Sequence, residues 1–381
     1  MSLPTKATIV SRCGKARCLS FGNVQTPVVM IQTRTCFQPY LTLDMLKKLP
    51  EKPLFSITAG ELFHVAKTVK GMKGGLKAFT ALNDYYMHIQ TRDIEQFPVP
   101  KGTDKSVGVM TTEGNRDISA QEYIGYTNDF GADSFVTLND EVPLSVGKRR
   151  GKQSVIRNKN WLQQHLNEAT GSSGIIANIQ ATENEQLLKE QLDLINQNAS
   201  KLLGVHVSGL HLGESPKQRE AMLTAIFSSI PEDLVRFVTG PDSPSEILES
   251  VRLGVDVTVS SYPIRLAEKA YCSTHSLLLG LTIRYWNGKD GCVENKTKMN
   301  VMDVVYEHDK SPLVPGCSCY ACQKFTKGYL HHLFNCHELL GIILLAQHNL
   351  HHLMDLIQST RSSIQDGSFE AFLQRFYSHS V

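Results

Sequence analysis

The sequence carries almost no net charge: 39 Lys and Arg stand against 37 Asp and Glu, a formal balance of +2. Such a chain is not a general binder of polyanions, and any contact with nucleic acid has to be local. Long hydrophobic runs are also missing. The longest, 339–346, falls well short of the roughly 20 residues a membrane-spanning helix needs, and Gln347 and His348 end it. No acidic residue precedes Asp44, so the basic N-terminus (Lys6, Arg12, Lys15, Arg17) superficially resembles a mitochondrial transit peptide. Alternating segments at 7–10 and 27–31 favour strands that open a folded domain instead. No repeat or low-complexity segment stands out, and no Gly-rich phosphate turn follows the first strand of the alternating series, where an open dinucleotide-binding sheet would place one.

What is present is a chain of 381 residues, 41% of them hydrophobic, enough for one large core or two moderate ones. Strand patterns fall at 28–32, 54–58, 106–110, 134–138, 174–179, 203–207, 235–239 and 255–260. Helical patterns lie between them at 42–49, 60–69, 120–130, 161–168, 184–196, 216–229 and 244–253. Two of these helices open with strong start signals: Ser119 with Glu122 three residues on, and Ser243 with Glu246, where Pro244 takes the first helical position. Strand followed by helix, repeated about eight times, predicts an α/β fold of the (β/α)8 TIM-barrel type. After Leu281 a polar insert at 287–298 breaks the pattern, and helices at 324–334, 338–361 and 369–376 follow. The expected organisation is a barrel with N-terminal strands over 1–285 and a C-terminal zinc-binding helical subdomain over 286–381.

Nine cysteines are an odd number, and three of them, Cys317, Cys319 and Cys322, crowd into one turn introduced by Pro315 and Gly316. That crowding suits a metal in a reducing compartment better than a disulfide framework, and three soft thiolates favour one tetrahedral zinc. A fourth ligand is required. Cys336 and six histidines between 331 and 352 are candidates, and spacing alone does not choose among them. His348 lies beside Ile342, Leu344 and Leu345 on a helix face able to dock on the cysteine turn. Four protein ligands would leave no open position, so the ion would be structural.

The cysteine turn, followed by Tyr329-Leu330-His331-His332-Leu333, Glu338-Leu339-Leu340-Gly341 and His348-Asn349-Leu350, resembles the C-terminus of tRNA-guanine transglycosylases. The resemblance extends over nearly the whole chain. It includes Gly14-Lys15-Ala16-Arg17, Thr26-Pro27-Val28, the stretch from Gly209 to Glu214, Ile230-Pro231-Glu232-Asp233, Gly254-Val255-Asp256, and Pro263 with Arg265. It implies a zinc-containing TIM barrel, selects His348 as the fourth ligand, and points to exchange of guanine for a queuosine precursor in the tRNA anticodon through an Asp nucleophile.

The departures from the family pattern carry most of the functional information. Val259 occupies the nucleophile's position, and a valine cannot attack a ribose carbon. Asp256 is no substitute, because a separation of three along a strand puts it on the opposite face. The family's general-acid motif has no counterpart; the nearest stretch runs from Ala81 to Tyr86. Of the base pocket, Asp140 (with Glu141), Gln180, Gly209 and Leu210 remain, while Val142 replaces a Cys and Ala181-Thr182 replace a Gly-Gly. A metal site kept and a catalytic set lost resembles non-catalytic members of the family. The resemblance then implies a heterodimer with a catalytic paralogue that exchanges guanine for queuine, joint handling of tRNA, and a cytoplasmic location with peripheral association to the mitochondrial outer membrane. A self-sufficient transglycosylase with a displaced nucleophile is the alternative. For tRNA contact the best local patch is Lys148, Arg149, Arg150 and Lys152, with Arg157 and Lys159 close by in sequence.

Overall fold

The computed structural model describes residues 6–95, 101–274, 285–286, 292–293 and 297–380. Most of the polar insert expected at 287–298 lies outside the described residues. The chain divides into two compact units, one of residues 1–37, 54–242 and 249–260, the other of 38–53, 243–248 and 261–381. The switch therefore falls at 261 rather than 286, and the second unit also recruits 38–53 and 243–248.

The first unit opens with an antiparallel sheet of β1 (Thr8–Cys13), β2 (Ala16–Phe21) and β3 (Val24–Gln25). A closed parallel barrel follows, ordered β4 (Val28–Gln32), β5 (Leu54–Thr58), β6 (Met87–Gln90), β9 (Ser134–Val136), β10 (Gly174–Gln180), β11 (Gly204–Ser208), β12 (Val235–Thr239) and β13 (Val257–Ser260). The TIM-barrel expectation is met. Parallel strands covered on both faces must be apolar on both, and β4 is buried at all five positions. Inward side chains Val28, Met30, Val136, Ile176, Phe237, Val257 and Val259 pack with Leu19, Phe21 and Val24 of the N-terminal sheet. Alternate residues, among them Ala177, Ile179, Val205 and Val207, face an outer layer of helical side chains such as Leu162, Leu192 and Leu223.

One barrel strand differs from expectation. Residues 106–110 do not enter the barrel: β7 (Ser106–Thr111) pairs antiparallel with β8 (Gly114–Ser119) as a hairpin, and Met87–Gln90 takes the third place. The reason lies in the burial. Strand β7 alternates half-buried or exposed positions with buried ones, as a one-sided ribbon does, whereas the short β6 is buried on both faces. The hairpin backbone also approaches Gly60 so closely that a Cβ there would sit 1.9 Å from the Met110 carbonyl oxygen.

The helices up to the end of the barrel sequence are α1 (Leu43–Leu46), which belongs to the second unit, α2 (Ala59–Val69), α3 (Gly75–Phe79), α4 (Ala120–Asp129), α5 (Lys148–Glu168), α6 (Glu185–Asn198), α7 (Pro216–Phe227) and α8 (Pro244–Arg252), whose first half the second unit takes. The capping box predicted at Ser119 forms in both directions with Glu122. Helix α5 starts 13 residues before the expected 161, so the basic run is its first turns. Its buried stripe includes Ser154, Asn158 and His165, and that polar content hides the apolar period.

The second unit adds α9 (Tyr262–Glu268), the strands β14 (Tyr271–Ser273), β15 (Tyr285–Trp286), β16 (Cys292–Val293) and β17 (Lys298–Asn300), and the helices α10 (Tyr320–Lys324), α11 (Lys327–Asn335), α12 (Leu339–Gln365) and α13 (Phe369–Ser380). The long α12 is its spine. Asn349 on α12 accepts from the Ser273 amide at 2.7 Å and donates to the carbonyls of Pro263 at 3.1 Å and Tyr271 at 3.0 Å, which ties α9 and β14 to it.

Candidate functional site

Cys317, Cys319, Cys322 and His348 converge: one donor atom from each lies within 4.8 Å of all the others. The turn is self-supporting, because Cys319 caps α10 by accepting from the Cys322 amide at 3.3 Å, and Cys317 accepts from the Cys319 amide at 3.5 Å. From His348 Nδ1 the sulfurs of Cys319, Cys322 and Cys317 lie at 3.3, 3.4 and 4.0 Å. A tetrahedral zinc site with bonds of about 2.3 Å to sulfur and about 2.0 Å to nitrogen has edges of roughly 3.5 Å, so the donor set fits that ion. The opposite ring nitrogen of His348 donates to the Ser273 carbonyl at 2.9 Å, which fixes the tautomer and leaves Nδ1 as a lone pair aimed at the sulfurs. Hydrogen bonds from the Cys317 and Cys319 thiols pull the Cys322 thiol far below its ordinary value. All three cysteines are free of disulfides.

At the C-terminal ends of the barrel strands, where barrels of this type bind substrate, the polar residues expected to read a base are engaged with other groups of the same chain. Asp140 is fully buried and accepts both guanidinium nitrogens of Arg150, a nitrogen of Arg157 at 2.9 Å, and the Gly102 amide at 3.2 Å. A carboxylate has about four lone-pair sites, and here all are used. The Gln180 amide is equally committed. It donates to the carbonyls of Val142 at 2.7 Å and Ala181 at 3.1 Å, and accepts from the Val142 amide and the Ser208 hydroxyl, both at 3.2 Å. The Gly209 amide donates to Glu141 at 2.9 Å, and a Cβ at Gly209 would lie 2.2 Å from the Gln180 amide nitrogen. Leu210 points into the outer core, 1% exposed.

Beneath these groups the barrel interior is polar. His206 bridges Asn178 at 2.9 Å and Thr239 at 3.0 Å, while His88 bonds Ser134 at 2.9 Å and stacks on Phe237. Burial drives the pKa of His88 down to about 3 and that of His206 to about 4. Burial would raise Glu141, but the Arg92 guanidinium at 2.6 Å and the Gly209 amide hold it below the ordinary carboxylate range. Val259 faces this interior, 2% exposed, with Met30 and Thr239 as its neighbours across the flanking strands. Asp256 is elsewhere, paired with Arg17 at 2.6 and 2.9 Å at the opposite end of its strand.

The basic run divides. Lys148, Arg149 and Lys152 are exposed, whereas Arg150 is taken up by Asp140, as is Arg157, and Lys159 pairs with Glu190 at 2.6 Å. Sequence reasoning missed Arg92, His88, His206 and the backbone carbonyl of Ser273. The inward-facing histidines had a signal, a His within an otherwise apolar strand; the carbonyl had none.

A family model described as queuine tRNA-ribosyltransferase matches residues 8–380. The chain is similar to three curated proteins named queuine tRNA-ribosyltransferase accessory subunit 2. That of Anopheles gambiae is 27% identical, covering 91% of this chain and 82% of the relative. That of Xenopus tropicalis is 28% identical, covering 92% of each chain. That of Caenorhabditis briggsae is 29% identical, covering 95% of this chain and 97% of the relative.

Proposed function

The chain belongs to the queuine tRNA-ribosyltransferase family, and we propose that within it this protein is a non-catalytic accessory subunit: it pairs with a catalytic family member and helps hold tRNA while the partner exchanges guanine for queuine at the wobble position. The observation that carries this reading is the closed barrel mouth. Asp140 and Gln180 have no hydrogen-bonding capacity left for a base. Val259, at the nucleophile's register, offers only hydrocarbon.

In this reading Cys317, Cys319, Cys322 and His348 hold one zinc ion. Four protein ligands close its coordination, so it would stabilise the cysteine turn on α12 and would not activate water. The partner surface is proposed on the same helical unit. Phe325 and Tyr329 stack at 5.5 Å, His332 follows at 6.4 Å from Tyr329, and Tyr329, Leu339 and Leu340 are exposed. An aromatic strip left open to water, with aliphatic residues exposed at the start of the next helix, is the composition of an interface core. Lys148, Arg149 and Lys152 are the tRNA contacts in this scheme. The family resemblance supports a cytoplasmic location with peripheral association to the mitochondrial outer membrane. Among the described residues no helix is long and apolar enough to cross a membrane.

The decisive experiment is covalent trapping. Purified alone and given substrate tRNA with a base that stalls the glycosyl-enzyme intermediate, this chain should form no protein–RNA adduct, while a mixture with a catalytic family member should form one on the partner only. An adduct on this chain would favour the self-sufficient enzyme. For the metal, Cys319→Ala should abolish zinc binding and weaken pairing with the partner; full pairing without metal would detach the zinc from the interface.

A further inference from the structure

Two segments on the barrel's C-terminal side carry cations that no ion pair absorbs. Lys148, Arg149 and Lys152 are exposed on the first turns of α5, and Lys101 and Lys105 are exposed on the segment entering β7. None of the five is within 4 Å of a carboxylate among the described residues, the ion pairs of this region being made by Arg150, Arg157 and Lys159. Together they supply +5 to a chain whose formal charge is +2, which leaves 2 − 5 = −3 for everything else. The concentration is local.

One buried residue organises both segments. Asp140 donates its amide to Asn158 at 2.7 Å, accepts the Ser154 hydroxyl on its carbonyl, and binds Arg150 and Arg157 through its carboxylate. Positions 150, 154, 157 and 158 form a single stripe of α5, so Asp140 is bolted to three successive turns, and the exposed cations are left outside that stripe. The second segment is fastened at the same point. The Gly102 amide donates to Asp140, and Arg157 donates to the Gly102 carbonyl at 2.8 Å and to Asp104 at 2.8 Å. A Cβ at residue 102 would lie 2.5 Å from the Asp140 carboxyl carbon, so only glycine permits this approach. Four basic side chains in the first turns of a helix oppose its macrodipole, and the Asp140 carboxylate offsets that repulsion from within.

We propose that Asp140 is a positioning residue that holds the start of α5 and the 101–105 segment together as one polycationic ridge, and that this ridge grips the phosphate backbone of RNA. RNA as the polyanion rests on the accessory-subunit reading above. It is favoured over a lipid surface because residues 101–105 and 147–152 contain no apolar side chain to enter a membrane interface, and because barrels receive substrate at this end. Asp140, the residue that resembles a base reader, thus serves the backbone of the nucleic acid through the cations it places.

The test is a salt titration of binding between the full chain, alone and with its catalytic partner, and a fluorescently labelled RNA stem-loop. Replacing Lys101, Lys105, Lys148, Arg149 and Lys152 together by Gln should lower the slope of log affinity against log salt by roughly 3.5 to 4.5, at about 0.7 to 0.9 for each phosphate no longer neutralised. Asp140→Asn, with its helical content verified, should remove about half of that slope although every surface cation remains. A fold merely loosened would weaken binding at all salt concentrations without changing the slope. Should Asp140→Asn fail to fold, Ser154→Ala carries the test and should remove a smaller part. A wild-type slope in the fivefold variant, a wild-type slope in a folded Asp140 or Ser154 variant, or ridge-dependent binding to phosphatidylserine vesicles in place of RNA would each overturn the proposal. Sedimentation velocity with the partner reads the accessory role separately: wild-type chain that fails to pair defeats that role, whereas variants that pair normally but keep their slope defeat only the ridge.

Discussion

The barrel mouth and the cysteine cluster are both dense in polar groups, yet they are satisfied in opposite ways. At the mouth the charged and amide groups bond within the same chain: Asp140 with Arg150 and Arg157, Glu141 with Arg92, and Gln180 with the backbone of Val142. In the cluster three sulfurs and one ring nitrogen face each other, and His348 has its one donor turned away to Ser273. Acceptors aimed at a common point need a cation, whereas a saturated network has no room for a ligand. A family site can therefore be judged by whether its hydrogen-bonding capacity is still open, beyond whether its residues are retained.

The largest effect expected from this contrast is on the metal side. Cys319→Ala should take bound zinc from about one equivalent to none, measurable by plasma mass spectrometry. Because structural zinc contributes on the order of 10 kcal/mol to such units, amide exchange in α10 and α12 should rise sharply. Retained protection without metal would mean that α12 packing alone holds the unit.

Acid should act next, and on the barrel. His88 at about 3, His206 at about 4 and His165 at about 4 titrate below the ordinary 6.5 when folded. The unfolded chain therefore binds more protons than the folded one between those values. Stability is complete above about pH 6.5 and should fall as the pH drops below it, by roughly 1 kcal/mol per pH unit for each histidine. Urea midpoints followed by barrel-strand amides check this; flat midpoints from pH 6.5 to 5 would show that the interior accommodates imidazolium.

A smaller loss is expected at the closed mouth. Gly209→Ala drives a methyl into the Gln180 amide and the Val142 carbonyl at a φ of +85°, and should destabilise the chain by about 3 kcal/mol in urea. No loss would mean the mouth is looser than its hydrogen bonds imply. The smallest effect belongs to the surface: Arg149→Gln should change stability by less than about 0.5 kcal/mol, and a larger change would give that side chain a structural role beyond the proposed RNA contact.

Most of the barrel was legible in the sequence because parallel strands must be apolar on both faces, and seven of the eight segments announce themselves that way. The eighth was hidden. Met87–Gln90 is four residues long with a polar His88 turned inward, while 106–111 carries a stronger alternation that serves a hairpin. Helix α5 was half-hidden for a related reason, since the face it buries at Ser154 and Asn158 is polar and bonds to the backbone of Asp140. The metal ligands were legible because thiolates crowded into one turn have few other uses. The fourth was legible only through the family resemblance, because spacing alone left seven candidates; the fold brings His348 to the sulfurs.

The sequence by itself determined the alternation that makes a barrel, the cysteine turn, and the absence of a carboxylate at Val259. The tertiary structure alone decided which arginines are free. Arg149 and Arg150 are chemically identical neighbours, but the turn of the helix places the second against a buried carboxylate and leaves the first in water. It likewise decided that Asp140 and Gln180 are closed as a site, because their hydrogen-bonding capacity is taken up by neighbouring segments, Gly102 and α5 for the first and Val142 and Ser208 for the second.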